Sequence, residues 1–203
     1  MFFRQIKHRG DNFSYIIADE TTREAAVIDP SFNTEAIRQI LKTQGFKLKY
    51  IINTHGHSDH TAGNQELQKE FNAKIVAHKK SRINKHLSVE DEDTIKIGQT
   101  TIKVIHTPGH TPDSICLLVN GKLLTGDTLF VGECGRTDLP GGSTEDMYNS
   151  LFNKILKLND ETEVYPGHDY GDKPHSTIGE EKRTNYTLEK RTLEEFVEFM
   201  KQP

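Results

Sequence analysis

The segment Thr-His-Gly-His-Ser-Asp-His-Thr-Ala-Gly-Asn, residues 54–64, constrains this chain more than any other. It places three imidazoles (His55, His57, His60) and a carboxylate (Asp59) within six positions, directly after Tyr50-Ile51-Ile52, an apolar run that reads as the end of a buried strand. Neutral imidazole nitrogen suits zinc, iron and similar ions, and carboxylate oxygen suits harder cations, so the mixture points to a divalent transition metal. In an extended segment His55 and His57 point the same way, while Asp59 and His60, beyond the turn, face a second position. One loop can therefore serve two adjacent ions. A polar loop whose imidazoles cap a helix or meet solvent accounts for one or two histidines but not for this density.

Upstream, residues 2–6, 13–18 and 25–28 are rich in aromatic and branched side chains and are separated by polar turns, the pattern of a strand meander. Asp29-Pro30 stops the third strand. A helix is expected from Thr34, with Ile37, Ile40 and Leu41 on one face and Gly45 past its end, and the strand 48–53 then delivers His55. Asn64 is expected to cap a helix carrying Leu67 and Phe71, followed by a strand at 74–77. Residues 79–93 are basic first (Lys79, Lys80, Arg82, Lys85) and acidic afterwards, and read as solvated surface. Two hairpins follow, 94–97 with 100–106 and 115–119 with 122–125, the second turning on Asn120-Gly121. A Pro- and Gly-stiffened loop between them carries His110, and Asp127 comes directly after the second. Residues 131–142 form a glycine-rich loop, and Ser143 with Asp146 starts a helix bearing Leu151, Ile155 and Leu158. Residues 163–165 read as the last strand, with His168 behind it, and Thr192 with Glu195 caps a terminal helix.

At 203 residues the chain fits a single domain, 1–203, long enough to bury a core. A net charge of −4 supplies no positive field to hold a phosphodiester backbone, so a nucleic-acid partner is not expected. No apolar run approaches the ~18 residues of a membrane span. The opening Met-Phe-Phe-Arg-Gln-Ile has no signal-peptide pattern, and Cys116 and Cys134 make no disulfide framework, so the expected location is cytoplasmic. Cys116 alternates within a strand and reads as core. Cys134 has no assignable activating partner and reads as packing. The oligomeric state is open, a homodimer included.

Four strand ends, after about residues 53, 106, 125 and 165, each place His or Asp on a loop held by a rigid sheet. The result is His55, His57, Asp59, His60, His110, Asp127 and His168, enough for two ions sharing one carboxylate and leaving positions for water and substrate. The order and motifs resemble the metallo-β-lactamase superfamily: Thr54-His55-Gly56-His57-Ser58-Asp59-His60, Pro-Gly-His at His110, Gly-Asp at Asp127 and Pro-Gly-His at His168. That resemblance implies an α/β fold, a four-layer αβ/βα sandwich of two mixed β-sheets flanked by helices. It implies His55, His57 and His110 for a first metal, Asp59, His60 and His168 for a second, Asp127 bridging, and catalytic roles for Asp59 and Asp127. Asp127 stands where the most familiar β-lactamases carry cysteine, which argues against antibiotic hydrolysis.

Two branches share these motifs. Cys134-Gly135-Arg136-Thr137-Asp138, residues 165–170, Ser176-Thr177, Glu180-Glu181 with Arg183 and Asn185, and Glu194-Glu195-Phe196-Val197 resemble persulfide dioxygenases. Those imply one Fe(II), at the equivalents of His55, His110 and Asp127, and a glutathione persulfide. Glyoxalase II shares all seven ligands and implies two metals and S-2-hydroxyacylglutathione. Leu139-Pro140-Gly141-Gly142 departs from the dioxygenase pattern, and the helical C-terminal domain of glyoxalase II has no counterpart in this sequence. The expected activity is hydrolysis of a small thiol's thioester at two divalent ions, Zn2+ first and iron or a mixed pair next. The alternative is a mononuclear Fe(II) persulfide dioxygenase producing sulfite. Arg136, a planar donor for carboxylate, and Tyr170, beside a ligand, are the candidates for holding a small anionic thiol-derived substrate, although Arg136 can equally pair with Asp138. A nuclease would show a basic groove, and a pure metal binder would turn nothing over.

Overall fold

A computed structural model of the protein describes residues 1–201. The branched and aromatic runs form two six-stranded mixed sheets. In the first, β1 (Phe2–Lys7), β2 (Phe13–Ala18) and β3 (Glu24–Ile28) pair antiparallel, and β4 (Lys47–Ile52), β5 (Lys74–His78) and β6 (Leu87–Val89) continue in parallel. The second runs in the order β12, β11, β10, β9, β8, β7, from β7 (Thr94–Ile97), β8 (Thr100–His106), β9 (Ile115–Val119) and β10 (Lys122–Gly126) to β11 (Glu163–Pro166) and β12 (Ser176–Thr177). Only β10 and β11 pair in parallel there.

The alternation of side chains along each strand sorts them into layers. Tyr15, Ile17, Ile28 and Ile52 face Ile102, Val104, Leu117 and Leu124 between the sheets. Ile16, Val27 and Ile51 point the other way, onto Ile37 and Leu41 of α1 (Glu35–Gln44) and Leu67 of α3 (Asn64–Phe71), on the far side of the short α2 (Ser58–Thr61). Cys116, Leu123 and Val164 on the outer face of the second sheet meet Met147 of α4 (Thr144–Tyr148), Ile178 of α5 (Ile178–Thr184) and Phe196 of α6 (Leu193–Phe199). Each fully buried Ile, Leu or Phe contributes about 1.5–3 kcal/mol, so the sandwich is held by its three apolar interfaces. No helix among the described residues is long and apolar enough to cross a membrane.

Several local expectations are corrected. Asn64 is the first residue of α3 and caps nothing; its side chain instead exchanges hydrogen bonds with Asn53, at 2.7 and 3.2 Å, behind the metal-ligand loop. Residues 79–93 contain β6, a three-residue edge strand too short to show a period. β11 is not the last strand, since β12 pairs with it antiparallel, and α5 follows, capped by the Thr177 side chain. The helix after Ser143 widens into a π turn at Asn149–Lys154 and a 3-10 turn at Ile155–Lys157, which leaves Leu158 beyond its end. α6 has the full capping box of Thr192 and Glu195.

At one end the sheets are stitched together: Phe13 N–H donates to Gly167 O and Ile115 N–H to Thr54 O, both at 2.8 Å. The ligand-bearing loops emerge at this end.

Candidate metal centre

The loops after β4, β8, β10 and β11 bring the seven side chains together in two groups. In each of them, His55, His57, His110 and Asp127 in one and Asp59, His60 and His168 in the other, one ligand atom per residue lies within 4.8 Å of all the rest. His57 Nδ1 faces both His55 Nε2, at 2.9 Å, and His110 Nε2, at 3.0 Å. His60 Nε2 faces His168 Nε2 at 3.1 Å. Asp127 lies between the groups: Oδ2 is 3.5 Å from His110 Nε2 and 3.3 Å from His168 Nε2, and Oδ1 is 3.4 Å from His60 Nε2. Gly167 permits this closeness, because a Cβ there would stand 2.4 Å from Asp127 Oδ1.

The donor set fits divalent cations. Ring nitrogens that face one another cannot all be satisfied by protons, and ligands held ~2.0–2.1 Å from a tetrahedral ion are themselves only about 3.3 Å apart. Asp127 Oδ1 is buried and accepts no hydrogen bond, an orphan that a cation satisfies. His55, His57 and His110 with Asp127 would hold one ion, and Asp59, His60 and His168 with Asp127 a second.

The outer partners escaped the sequence reading. Asp29, 2% exposed, accepts from the Thr54 N–H at 2.8 Å and the Thr54 hydroxyl at 2.6 Å, and its Oδ2 lies 3.0 Å from His60 Nδ1. It therefore fixes which His60 nitrogen faces the centre. Its backbone φ of +48° is uncommon for aspartate and is held by these contacts. Asp11 lies 3.2 Å from His168 Nδ1, and Asn12 donates to Asp59 Oδ2 at 2.9 Å. The available signal was that Asp29 also stands just past a strand, but Asp-Pro reads first as a stop. Asp29→Asn is expected to weaken binding at the Asp59, His60, His168 group by about 10–100-fold and to weaken the other less, since Asp29 reaches that one only through the Thr54 hydroxyl, 3.1 Å from His55 Nδ1, measured by metal titration. Equal weakening of both would contradict this placement.

Burial, with His60 nearby, holds His55 well below the usual imidazole range, and burial with His110 lowers His57. Burial also opposes charge on His60 and His168, but Asp127 and Asp29 lift His60 well above that range, and Asp127 and Asp59 lift His168 to about 10. Burial acts upward on the carboxylates, yet His60 and His55 hold Asp127, and His168 and His60 hold Asp59, well below the usual carboxylate range. In the metal-free protein His55 and His57 thus carry free lone pairs at neutral pH, whereas His168 keeps a proton until pH approaches about 10. The sign follows: a cation entering the second group must displace protons, so its affinity rises as pH rises. The second equivalent of zinc should bind about tenfold tighter per pH unit for each proton displaced, with proton release visible by calorimetry in two buffers. Identical pH dependence for both equivalents would refute the asymmetry.

The family model described as metallo-beta-lactamase superfamily matches residues 9–168. The chain belongs to the metallo-beta-lactamase superfamily. Among curated members, the mitochondrial persulfide dioxygenase ETHE1 of Homo sapiens is 35% identical over 192 residues, covering 93% of this chain and 75% of that protein. The probable polyketide biosynthesis zinc-dependent hydrolase PksB of Bacillus subtilis is 34% identical over 194 residues, covering 93% and 86%. The hydroxyacylglutathione hydrolase of Pelagibacter ubique is 39% identical over 165 residues, covering 79% and 67%. The crystal structure of ETHE1 from Myxococcus xanthus superposes with a TM-score of 0.95 at 35% identity, over 100% of this chain and 91% of that one. This superfamily member thus sits in the branch that holds both persulfide dioxygenases and hydroxyacylglutathione hydrolases.

In this metallo-beta-lactamase domain a cleft of about 860 Å³ opens beside His110 and Asp127. Arg136 and Tyr170 both line it, as do Thr137, Tyr186 and Met200. Arg136 forms a bidentate pair with Asp138 at 2.6 Å, both largely exposed. Tyr170 stacks on His168 with ring centroids 4.9 Å apart and interplanar angle 7°. Burial, with Asp11 and Asp127 nearby, pushes its hydroxyl up to about 12, so it stays a donor. Cys134 packs on Met200, and burial lifts its thiol to about 11, which removes it as a nucleophile. Gly109, φ +147°, lets the His110 loop lie on α4, where a Cβ would meet Met147 Cα at 2.5 Å. Gly109→Ala should lower the melting temperature by about 5 °C or more through strain and overlap, read by thermal unfolding of the metal-free protein. An unchanged melting temperature would mean that the loop shifts freely.

Proposed function

We propose that the protein hydrolyses a thioester of a small anionic thiol, giving a carboxylic acid and the free thiol at the cost of one water. The observation that carries this reading is the completeness of both ligand groups with Asp127 between them. Bound divalent ions, Zn2+ first, supply Lewis acidity and lower the pKa of water from about 15.7 towards 7. The residues do the rest. Asn12 and His168 fix Asp59, ionised at neutral pH, as the carboxylate that would accept a hydrogen bond from the attacking water and orient it. Tyr170 offers a hydroxyl donor from the cleft wall. Arg136 can exchange Asp138 for a substrate carboxylate at little cost, since an exposed pair is worth about 0–1 kcal/mol. A thiolate leaves readily, its thiol pKa being about 8.5, so a strong general acid is not required.

A second reading is favoured by the whole-chain likeness to persulfide dioxygenase ETHE1. There His55, His110 and Asp127 would hold a single Fe(II), leaving positions for O2 and a persulfide sulfur. Metal content per chain after purification without added metal decides between them, together with two assays. Two ions and thiol release from S-lactoylglutathione support the hydrolase; one iron and O2-dependent sulfite formation overturn it in favour of the dioxygenase.

A further inference from the structure

A second cavity, of about 750 Å³, is lined by His57 of the metal-ligand group, which takes no part in the walls of the first. Its walls include Gly56 and His57 of the ligand loop, Lys80 and Arg82 from the loop between β5 and β6, Asp113 beyond His110, and Pro140-Gly141. The flanking cations are engaged: Lys79 pairs with Glu90 at 2.6 Å and Lys85 donates to the Ser81 carbonyl at 2.6 Å. Among the described residues, Lys80 and Arg82 take part in no ion pair, so two cations line this cavity with Asp113 as the one acid among its walls. Between them Ser81, 6% exposed, keeps its hydroxyl without a hydrogen-bond partner, 3.4 Å from where a Gly56 Cβ would stand. The Pro140-Gly141 wall is also constrained, since Gly141 has φ +89° and a Cβ there would meet Pro112 at 3.1 Å. The loop that carries Arg136 to one cavity thus carries Pro140-Gly141 to the other.

A substrate centred on the seven ligands has two halves and two cavities to enter. We propose that the second cavity binds the acyl half, and that Lys80 and Arg82 select acyl groups ending in a carboxylate. This rests on the thioesterase reading and names its substrate class: thioesters of dicarboxylic acids with the distal carboxyl free. The charges decide for carboxylate over phosphate. Lys80 and Arg82 set against Asp113 leave one net positive charge in the cavity, which a monoanion neutralises and a dianion exceeds. Arg82 offers the planar fork that matches a carboxylate, and Lys80 adds a point charge.

Two measurements test it on the zinc-loaded protein. In kinetics with S-succinylglutathione and neutral S-butyrylglutathione, Lys80→Ala/Arg82→Ala should raise KM for the succinyl thioester about tenfold and leave the butyryl thioester within about twofold, with Lys79→Ala as the unaffected control. Equal losses on both substrates, or none, overturn the assignment. In amide NMR, succinate should shift residues 80–83 and 140–142 of the native protein, and the double variant should lose those shifts. Unmoved amides, shifts that survive in the variant, or tighter binding of inorganic phosphate at the same amides also overturn it. If neither thioester is turned over, the thioesterase reading fails by itself, and the succinate titration still decides the subsite.

Discussion

Replacing Asp127 with alanine is expected to lower kcat/KM by about 10³-fold or more and to leave neither ligand group able to retain its ion through dialysis. Asp127 alone reaches both groups, with Oδ2 near His110 and His168 and Oδ1 near His60. Losing it removes a ligand from each set and the one carboxylate that acts on both the His60 and His168 imidazolium groups of the metal-free protein, beside Asp29 at His60 and Asp59 at His168. Removing one member of a buried charged set also costs stability, about 3–5 kcal/mol. Thermal unfolding and metal analysis must therefore accompany the rates, and Asp127→Asn, which keeps the volume, separates a fold defect from a ligand defect. Turnover unchanged in Asp127→Ala would defeat both the hydrolase and the dioxygenase readings.

His168→Ala is expected to divide those two readings. His168 belongs only to the second group and lies on the cleft side, stacked beneath Tyr170. With two working ions, its loss should take metal content from two to one per chain and cut thiol release by about 10²-fold or more. With a single iron held by His55, His110 and Asp127, sulfite formation should persist within a few-fold. Gly167 and Gly126 beside it need no rearrangement, since removing an imidazole opens space, and a normal melting curve checks that.

What was legible in the chain was chemistry written locally. His-x-His-x-Asp-His, the two Pro-Gly-His turns and Gly-Asp each combine a ligand type with a strand-ending turn, so the seven residues could be named before any contact was known, and their division into two groups was implied by the superfamily resemblance. The layers came with the superfamily resemblance, and the order of strands and helices read along the chain agrees with them. Asp29 was not legible, because Asp-Pro carries a strong local meaning as a stop, and its role exists only once His60 folds back onto it. Asp11 and Asn12 looked like turn residues until the loop after β11 brought His168, and the loop after β4 brought Asp59, beside them. β6 was missed because it has three residues, too few to show a period, and α5 because it is short and largely polar, and their places are set by the neighbours they pack or pair with.

Residue types and their spacing were enough to point to the seven ligands and to the superfamily they resemble, since each motif lies within a few positions along the chain, and the layered sandwich was implied by that resemblance. Tertiary structure decided what the sequence had left open or unmarked: that Arg136 holds Asp138, that Asp29 backs His60, and that Lys80 and Arg82 line a second cavity together with His57. Those facts depend on the closing of one sheet upon the other, through bonds such as Phe13 to Gly167 and Ile115 to Thr54, between residues far apart in sequence. No local periodicity records such a closure.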